Sequence, residues 1–377
     1  MQVPLSKVSF SNKEKKTLLK IFDSGWLTHG EYNIKFEKNF SKLIGSNYAL
    51  TVNSCTSALE LALKCQNIKG EVIVPSFTWV ASVNSILNSG ATPVFCDSDL
   101  KTRNVTAKLI EPLITKKTQA VMIVHYGGQC CEMDEIIKIC KKNKLKLIED
   151  SAETLGGTWK GRHAGSWGVG CFSFFPTKNI STGEGGMVTC SNKDLYTKFK
   201  LMSAHGISTQ SIEREKNKTL PWYKVSKLAG HNFRMPNLLA GIGVEQLKKI
   251  SLLNIKRRNS AKLYKKLIKK YSLPVTIPYE HPNAKHVYQT YAINVKSSIR
   301  DRLLFFLRKR GIGASVHFTP ALHKHPFFKN KCKIRTSLKN SEYLSKTMIS
   351  LPMHSNLKNT EVEYVCKTLK TFFKKIN

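Results

Sequence analysis

Between Tyr48 and Glu149, short apolar, β-branched runs alternate with longer stretches in which apolar residues recur every three or four positions. The short runs, Tyr48–Val52, Glu71–Val74, Pro93–Cys96, Ala120–Val124 and Leu145–Glu149, predict strands. The longer stretches predict helices over Thr56–Cys65, Ala107–Ile114 and Met133–Lys142; in the first, Ala58, Leu61, Ala62 and Cys65 share one face. This alternation is that of a largely parallel sheet. After about Met235 the pattern changes to a long basic helical stretch, Gly243–Lys270, then a Pro-punctuated strand, Val287–Val295, and a helix near Arg302–Arg310. The expectation is an α/β chain in two parts. Residues 1–240 form a large domain with an N-terminal arm, and residues 241–377 a smaller C-terminal α/β domain.

Charge tests this reading. The net charge is +36, so a basic surface binding nucleic acid is an alternative. Lysine far outnumbers arginine, however, and no helix-turn-helix, zinc-finger or RNP-like segment is present. A solvated lysine-rich surface that binds no specific nucleic acid fits better, and its field would also attract a diphosphate. The ten cysteines are scattered without a CxxC pair, which predicts reduced thiols and no bound metal. Met1–Lys16 is polar and lysine-bearing, unlike a secretory signal, and no apolar run is long enough for a membrane span. The expectation is a cytoplasmic protein that does not engage membranes.

In parallel sheets ligands gather where strands end and helices begin. That rule selects Asn53–Ser57, Pro75–Trp79 and Asp150–Glu153. Chemistry of the pyridoxal phosphate (PLP) kind needs a lysine for the aldehyde, an acid for the ring nitrogen, an anion site and a ring cover. Lys178 lies in the apolar run Cys171–Pro176 followed by Thr177 and Asn179, with Ser181-Thr182-Gly183-Glu184-Gly185-Gly186 just beyond. Desolvation there would favour the neutral amine; an ordinary surface lysine is the alternative. Asp150, 28 residues earlier, suits either a pyridinium partner or a helix N-cap. Asn53–Ser57 can receive a phosphate at a helix N-terminus or merely cap it. Trp79 can cover a planar ring or be a buried aromatic.

The ordered set of phosphate loop, aromatic cover, acid, lysine and glycine-rich lead resembles the DegT-type nucleotide-sugar aminotransferases of PLP fold type I. The resemblance runs from Ser24-Gly25-Trp26-Leu27-Thr28 through Gly230-His231-Asn232-Phe233-Arg234-Met235 to Val316-His317-Phe318-Thr319-Pro320-Ala321-Leu322-His323. It implies that Lys178 carries the cofactor covalently and that Asp150 contacts the ring nitrogen. Trp79 would stack on the ring, with Glu153 near the ring hydroxyl. Cys55, Thr56 and Ser173 would hold the phosphate, and Asn232 would reach the phosphate of a neighbouring subunit. His317 and His323 match the substrate-side segment. Two positions depart from the pattern: Phe175 stands where many members carry His, and His231 where Tyr is frequent. The related dehydratase branch has histidine in place of the lysine, so Lys178 argues for transamination. The resemblance further implies a homodimer with shared sites, glutamate as amino donor and a nucleotide-linked 4-keto-6-deoxyhexose as acceptor. The product would be a 4-amino sugar of the perosamine or viosamine kind, a 3-keto acceptor being the alternative.

Overall fold

The computed structural model describes residues 1–207 and 224–376. An N-terminal arm leads into helices α1 (Asn12–Asp23) and α2 (Glu31–Ile44). The predicted alternation follows: β1 (Tyr48–Val52), α3 (Cys55–Lys64), β2 (Glu71–Pro75), α4 (Val80–Asn88), β3 (Thr92–Cys96), the one-turn α5 (Ala107–Ile110), β4 (Thr118–Val124), α6 (Met133–Lys142) and β5 (Lys146–Asp150). A small hairpin, β6 (Thr158–Trp159) and β7 (Arg162–His163), precedes β8 (Val169–Ser173), β9 (Gly186–Cys190) and α7 (Lys193–Ser203). Beyond residue 223 come α8 (Asn237–Leu247), α9 (Ile250–Lys270), β10 (Ala284–Lys285), β11 (Tyr291–Asn294), α10 (Ser297–Lys309), β12 (Lys333–Ile334), α11 (Lys339–Thr347), β13 (Met348–Leu351) and α12 (Asn359–Ile376).

The main sheet has eight strands in the order β1-β9-β8-β5-β4-β2-β3-β12. Only β9 runs against the others, being antiparallel to both β1 and β8. The carboxyl ends of β1, β2, β5 and β8 therefore share one edge, where the site forms. A sheet buried on both faces needs helices on both. One face packs on α3, α4 and α7 through Leu59, Leu63, Val83 and Phe199; the other covers Ile73, Val121 and Ile123 with Ile110, Ile136 and Cys140. A third cluster joins Phe36 and Phe40 to Phe172, Phe174, Ala240, Val244 and Leu253. Its edge-on Phe40–Phe172 contact, with centroids 4.9 Å apart, adds about 0.5–1.5 kcal/mol beyond simple burial.

Three predicted elements differ in extent. The helix expected over Ala107–Ile114 stops at Ile110 and continues as a tighter 3-10 turn, Glu111–Leu113. Pro112 has no N–H to bond back to Lys108. The stretch Gly243–Lys270 is two helices, joined where Lys249 N bonds only three residues back to Gln246 O, 3.0 Å. The strand expected over Val287–Val295 is a ladder only from Tyr291 to Asn294, paired with β13. Before it the backbone bonds instead to the Tyr126–Gly128 turn, Val287 N to Gly128 O and Thr290 N to Gly127 O. That diversion brings Gln289 and Thr290 to the edge of the main sheet.

The C-terminal residues have their own cluster around Tyr264, Tyr291, Leu303, Leu307, Val365 and Leu369, and Val3 of the arm belongs to it. They also reach back to the sheet. β12 extends it as an edge strand beside β3, and buried Glu71 on β2 is held by Arg335 and Lys333, 2.6 and 2.8 Å. These cations keep the Glu71 carboxyl down at about 2. Among the described residues no helix is long and apolar enough to cross a membrane.

Candidate active site

The shared strand edge opens into a cavity of about 410 Å³. Each strand end contributes to it by the alternation of side chains along an extended chain. At the end of β5, Glu149 and Asp150 point opposite ways, and both are buried. Glu149 faces inward and fastens the following loops, accepting from Gly165 N, Trp167 N and Gly168 N at 2.7–2.8 Å. His125 Nε2 lies 3.1 Å from it. Because His125 Nδ1 accepts from Cys131 N, the ring proton sits on Nε2 and is donated to Glu149.

Asp150 lines the cavity and is 6% exposed. Ser82 Oγ donates to its Oδ2 at 2.8 Å and Ala152 N to its Oδ1 at 3.2 Å. No cation pairs with it among the described residues. Burial raises its carboxyl, with the Ser82 and Ala152 hydrogen bonds and the charge of Lys178 working against the shift.

Lys178, in the segment between β8 and β9, is the one amine lining the cavity among the described residues. Its Nζ lies 3.4 Å from Glu153 Oε1, while Glu153 Oε2 accepts from Gly127 N at 2.8 Å. The lysine backbone is gripped from the opposite wall: Gln289 Nε2 donates to Thr177 O at 2.5 Å, and Arg257 Nη2 to Lys178 O at 3.4 Å. Arg257 also donates to Gln289 O and Met353 O. It is 3% exposed and has no carboxylate partner among the described residues, and burial brings its guanidinium down to about 10.

Ser54, Cys55 and Thr56 line the cavity at the start of α3, where Ser54 Oγ caps Ser57 N at 3.1 Å. This satisfies one amide and leaves the Cys55 and Thr56 amides at a positive helix end. The approach of β9 to this turn requires glycine, since a Cβ on Gly186 would lie 2.5 Å from the Ser54 carbonyl carbon. Burial pushes the Cys55 thiol well up, with Asp150 adding to the shift, so it remains a neutral S–H. Ser173 lines the same end. Trp79, at the start of α4, borders the cavity with 62% of its surface exposed. Phe175 is also exposed there.

The structure thus brings together Cys55, Thr56, Trp79, Asp150, Glu153, Ser173, Lys178 and His317. His317 Nδ1 lies 2.6 Å from Ser350 Oγ, and burial lowers its imidazole, which favours the neutral form. His323 and Asn232 are not among the lining residues. His323 sits behind the end of β2 between Ser76 Oγ, 2.6 Å, and Glu342, 3.2 Å. Asn232 is exposed, its Oδ1 accepting from Arg234 Nε at 3.1 Å. Sequence reasoning missed Ser82, Gln289, Thr290, Ser350, Met353 and Arg257. Ser82 alone left a signal, as a small polar residue inside the apolar helix Val80–Asn88.

The cavity suits pyridoxal phosphate. A buried carboxylate without a cation faces it, which a protonated ring nitrogen would satisfy. One lysine and a free helix N-terminus complete the wall.

Comparison with known proteins gives the same assignment. A family model described as the DegT/DnrJ/EryC1/StrS aminotransferase family matches residues 9–370. The chain is 33% identical to the spore coat polysaccharide biosynthesis protein SpsC of Bacillus subtilis, covering 99% of this chain and 97% of that one. Helicobacter pylori PseC, an aminotransferase involved in the biosynthesis of pseudoaminic acid, has the same fold with a TM-score of 0.92 at 29% identity and full coverage of both chains. A mutant GDP-4-keto-6-deoxymannose-3-dehydratase, ColD, with bound GDP-perosamine matches with a TM-score of 0.90 at 26% identity, over 98% of this chain and all of that one.

Proposed function

The chain belongs to the DegT/DnrJ/EryC1/StrS aminotransferase family, whose aminotransferases use pyridoxal phosphate, and on that premise we propose that it aminates a nucleotide-linked keto sugar, with glutamate as donor and a 4-keto-6-deoxyhexose as acceptor. The observation that carries the reading is Lys178, the single amine among the described residues lining a cavity that also holds the buried carboxylate of Asp150, which has no ion-pair partner among them. The bound cofactor supplies the electron sink that makes the donor's α-hydrogen acidic.

The residues divide the remaining work. Asp150 holds a proton at the ring nitrogen, and Ser82 keeps the carboxylate turned toward it. The Cys55 and Thr56 amides with the Ser173 hydroxyl fix the phosphate. Lys178 Nζ takes the proton from the donor's α-carbon and returns one to the acceptor's carbon, so a single base serves both halves of the reaction. Glu153 Oε1, 3.4 Å away, orients that amine. Trp79 covers the open side and keeps water from it. The same fold in a dehydratase means that fold alone does not select amination; a lysine at position 178 does.

Purified protein offered glutamate and a panel of nucleotide-linked 4-keto and 3-keto sugars tests the reading by product mass. A 4-amino product supports it; a 3-amino product moves the position of attack, and no amination of any sugar refutes it. Asn232, exposed and outside this chain's cavity, is read as serving the site of a second copy in a homodimer. Mixing Lys178→Ala with Asn232→Asp under subunit exchange should then restore up to about one-quarter of full activity, and no recovery despite exchange would count against sharing.

A further inference from the structure

Behind the Tyr126–Gly128 turn lies a second, much smaller cavity, distinct from the one just described. Lys101, Arg103, Tyr126, Tyr279, His286 and Thr290 are among its walls, and its volume is about 10 Å³. That is room for a single water-sized particle. Thr290 lines both cavities, so the two are separated by about one side chain.

Arg103 is placed here by a pinned loop. Asp99 Oδ1 accepts from Lys101 N, Thr102 N and Thr102 Oγ1 at 2.6–3.0 Å. Arg103 N donates back to Asp99 O at 2.7 Å, and the residue adopts a left-handed φ of 65°. A non-glycine residue held in that conformation is over-determined by its surroundings. Its side chain is 6% exposed, yet no carboxylate pairs with it among the described residues. Among the described residues one hydrogen bond, Nη2 to Asn294 Oδ1 at 2.8 Å, is its whole set of side-chain partners, and Nε is buried with none. The Tyr126 hydroxyl is buried beside Thr290 without a hydrogen bond of normal geometry.

Two cations, Lys101 and Arg103, line the cavity and among the described residues no carboxylate does, Glu153 acting on Tyr126 from beyond its wall. Lys101 Nζ stands over the Tyr279 ring, 4.2 Å from its centroid. Glu280, the nearby acid, is already taken by Arg258, His286 N and the Tyr288 hydroxyl. A guanidinium taken from water with no counter-charge is costly, and proteins rarely leave one so.

We propose that this cavity binds a small monovalent anion of the chloride class, held by Arg103 and the Tyr126 hydroxyl with Lys101 contributing at longer range. The small volume suits a monatomic ion better than phosphate or a carboxylate. The ion neutralises Arg103 and supplies an acceptor for Nε. It thereby braces the His286–Thr290 loop against the Tyr126–Gly128 turn. The proposal does not depend on the reaction assigned above, because its readouts are crystallographic and thermal.

Crystals of the full chain grown in sodium bromide, measured at the bromine absorption edge, should show an anomalous peak against the Arg103 guanidinium. In solution the melting temperature should be about 2 °C higher in 0.2 M sodium chloride or bromide than in sodium gluconate of equal ionic strength, as estimated for moderate occupancy of one site. Arg103→Met should abolish that difference and Tyr126→Phe should reduce it. Should Arg103→Met fail to fold, the wild-type bromide map and the Tyr126→Phe melts decide the matter. An empty or water-filled cavity in the bromide crystals would overturn the proposal, as would a peak without any halide effect on melting, which would mark an adventitious ion only.

Discussion

The two walls of the active-site cavity are built by different means. One consists of strand ends and the helix starts that follow them: Ser54–Thr56 after β1, Trp79 after β2, Asp150 at the end of β5 and Ser173 on β8. Each side chain there is placed by the local alternation of its own strand. The other wall, Gln289, Thr290, His317, Ser350 and Met353, comes from loops and strand β13 of the C-terminal part. Gln289 and Thr290 are held in place by bonds that cross from one part of the chain to the other, Gln289 Nε2 to Thr177 O and Thr290 N to Gly127 O, and Arg257 ties Gln289 and Met353 to Lys178 O. Chemistry concentrates on the first wall, and the second determines how the lysine is presented.

The sharpest break in this comparison is Lys178→Ala. Turnover should fall by more than about 10²–10⁴-fold, the usual contribution of a positioned acid-base group. Borohydride reduction followed by intact mass should add the reduced cofactor to the wild type and not to the variant; a variant that still gains that mass would move the covalent site elsewhere. Asp150→Asn should come next. It replaces a charge-assisted hydrogen bond worth roughly 1.5–3 kcal/mol, so turnover should drop about 10- to 100-fold. Wild-type rates in this variant would remove Asp150 from the ring nitrogen.

Arg257→Met tests the far wall. It frees the carbonyls of Lys178, Gln289 and Met353, each costing about 1–3 kcal/mol if left unpaired, offset in part by removal of a buried charge. Melting should fall, and kcat should fall more than KM because the lysine backbone loses its anchor. Lysine at this position should recover little, since an ammonium lacks the planar fork that spans three acceptors. A variant that melts early with unchanged kcat would show that the far wall contributes stability alone.

The smallest effect is one of pH. Burial holds His286 down to about 3, with Arg103 and Arg258 adding to the shift, and His354 down to about 4, with Arg257 adding. In the unfolded chain both titrate near ~6.5. Below that value the unfolded state takes up protons that the folded state does not, so stability should decline as pH falls from about 6.5 toward 4. His354→Gln should flatten the upper part of that decline in urea unfolding measured at successive pH values. An unchanged slope would mean that His354 is protonated in the fold.

Legibility in sequence follows the same division. Tyr48–Val52 and Met133–Lys142 match the observed bounds because their pattern is set by local periodicity. Asp150 and Trp79 were found by a rule about strand ends, which needs only the strands. The Gln289–Thr290 loop reads as strand in sequence because Val287, Tyr288, Tyr291 and Ile293 flank it. Its true conformation depends on two carbonyls at Gly127 and Gly128, more than 150 residues earlier in the chain. Arg257 was hidden in a basic helix, where nothing local distinguishes a buried guanidinium from its exposed neighbours.

The first few residues show what such long-range placement entails. Val3 is 1% exposed, and its amide and carbonyl bond to Gly311 O and Gly313 N. Leu5 O accepts from Met353 N, and Leu5 and Ser6 line the cavity. The N-terminal arm is therefore part of the reaction vessel. A protease that clipped it, or a purification tag whose removal consumed residues 1–6, would leave every catalytic group intact while unsealing the chamber.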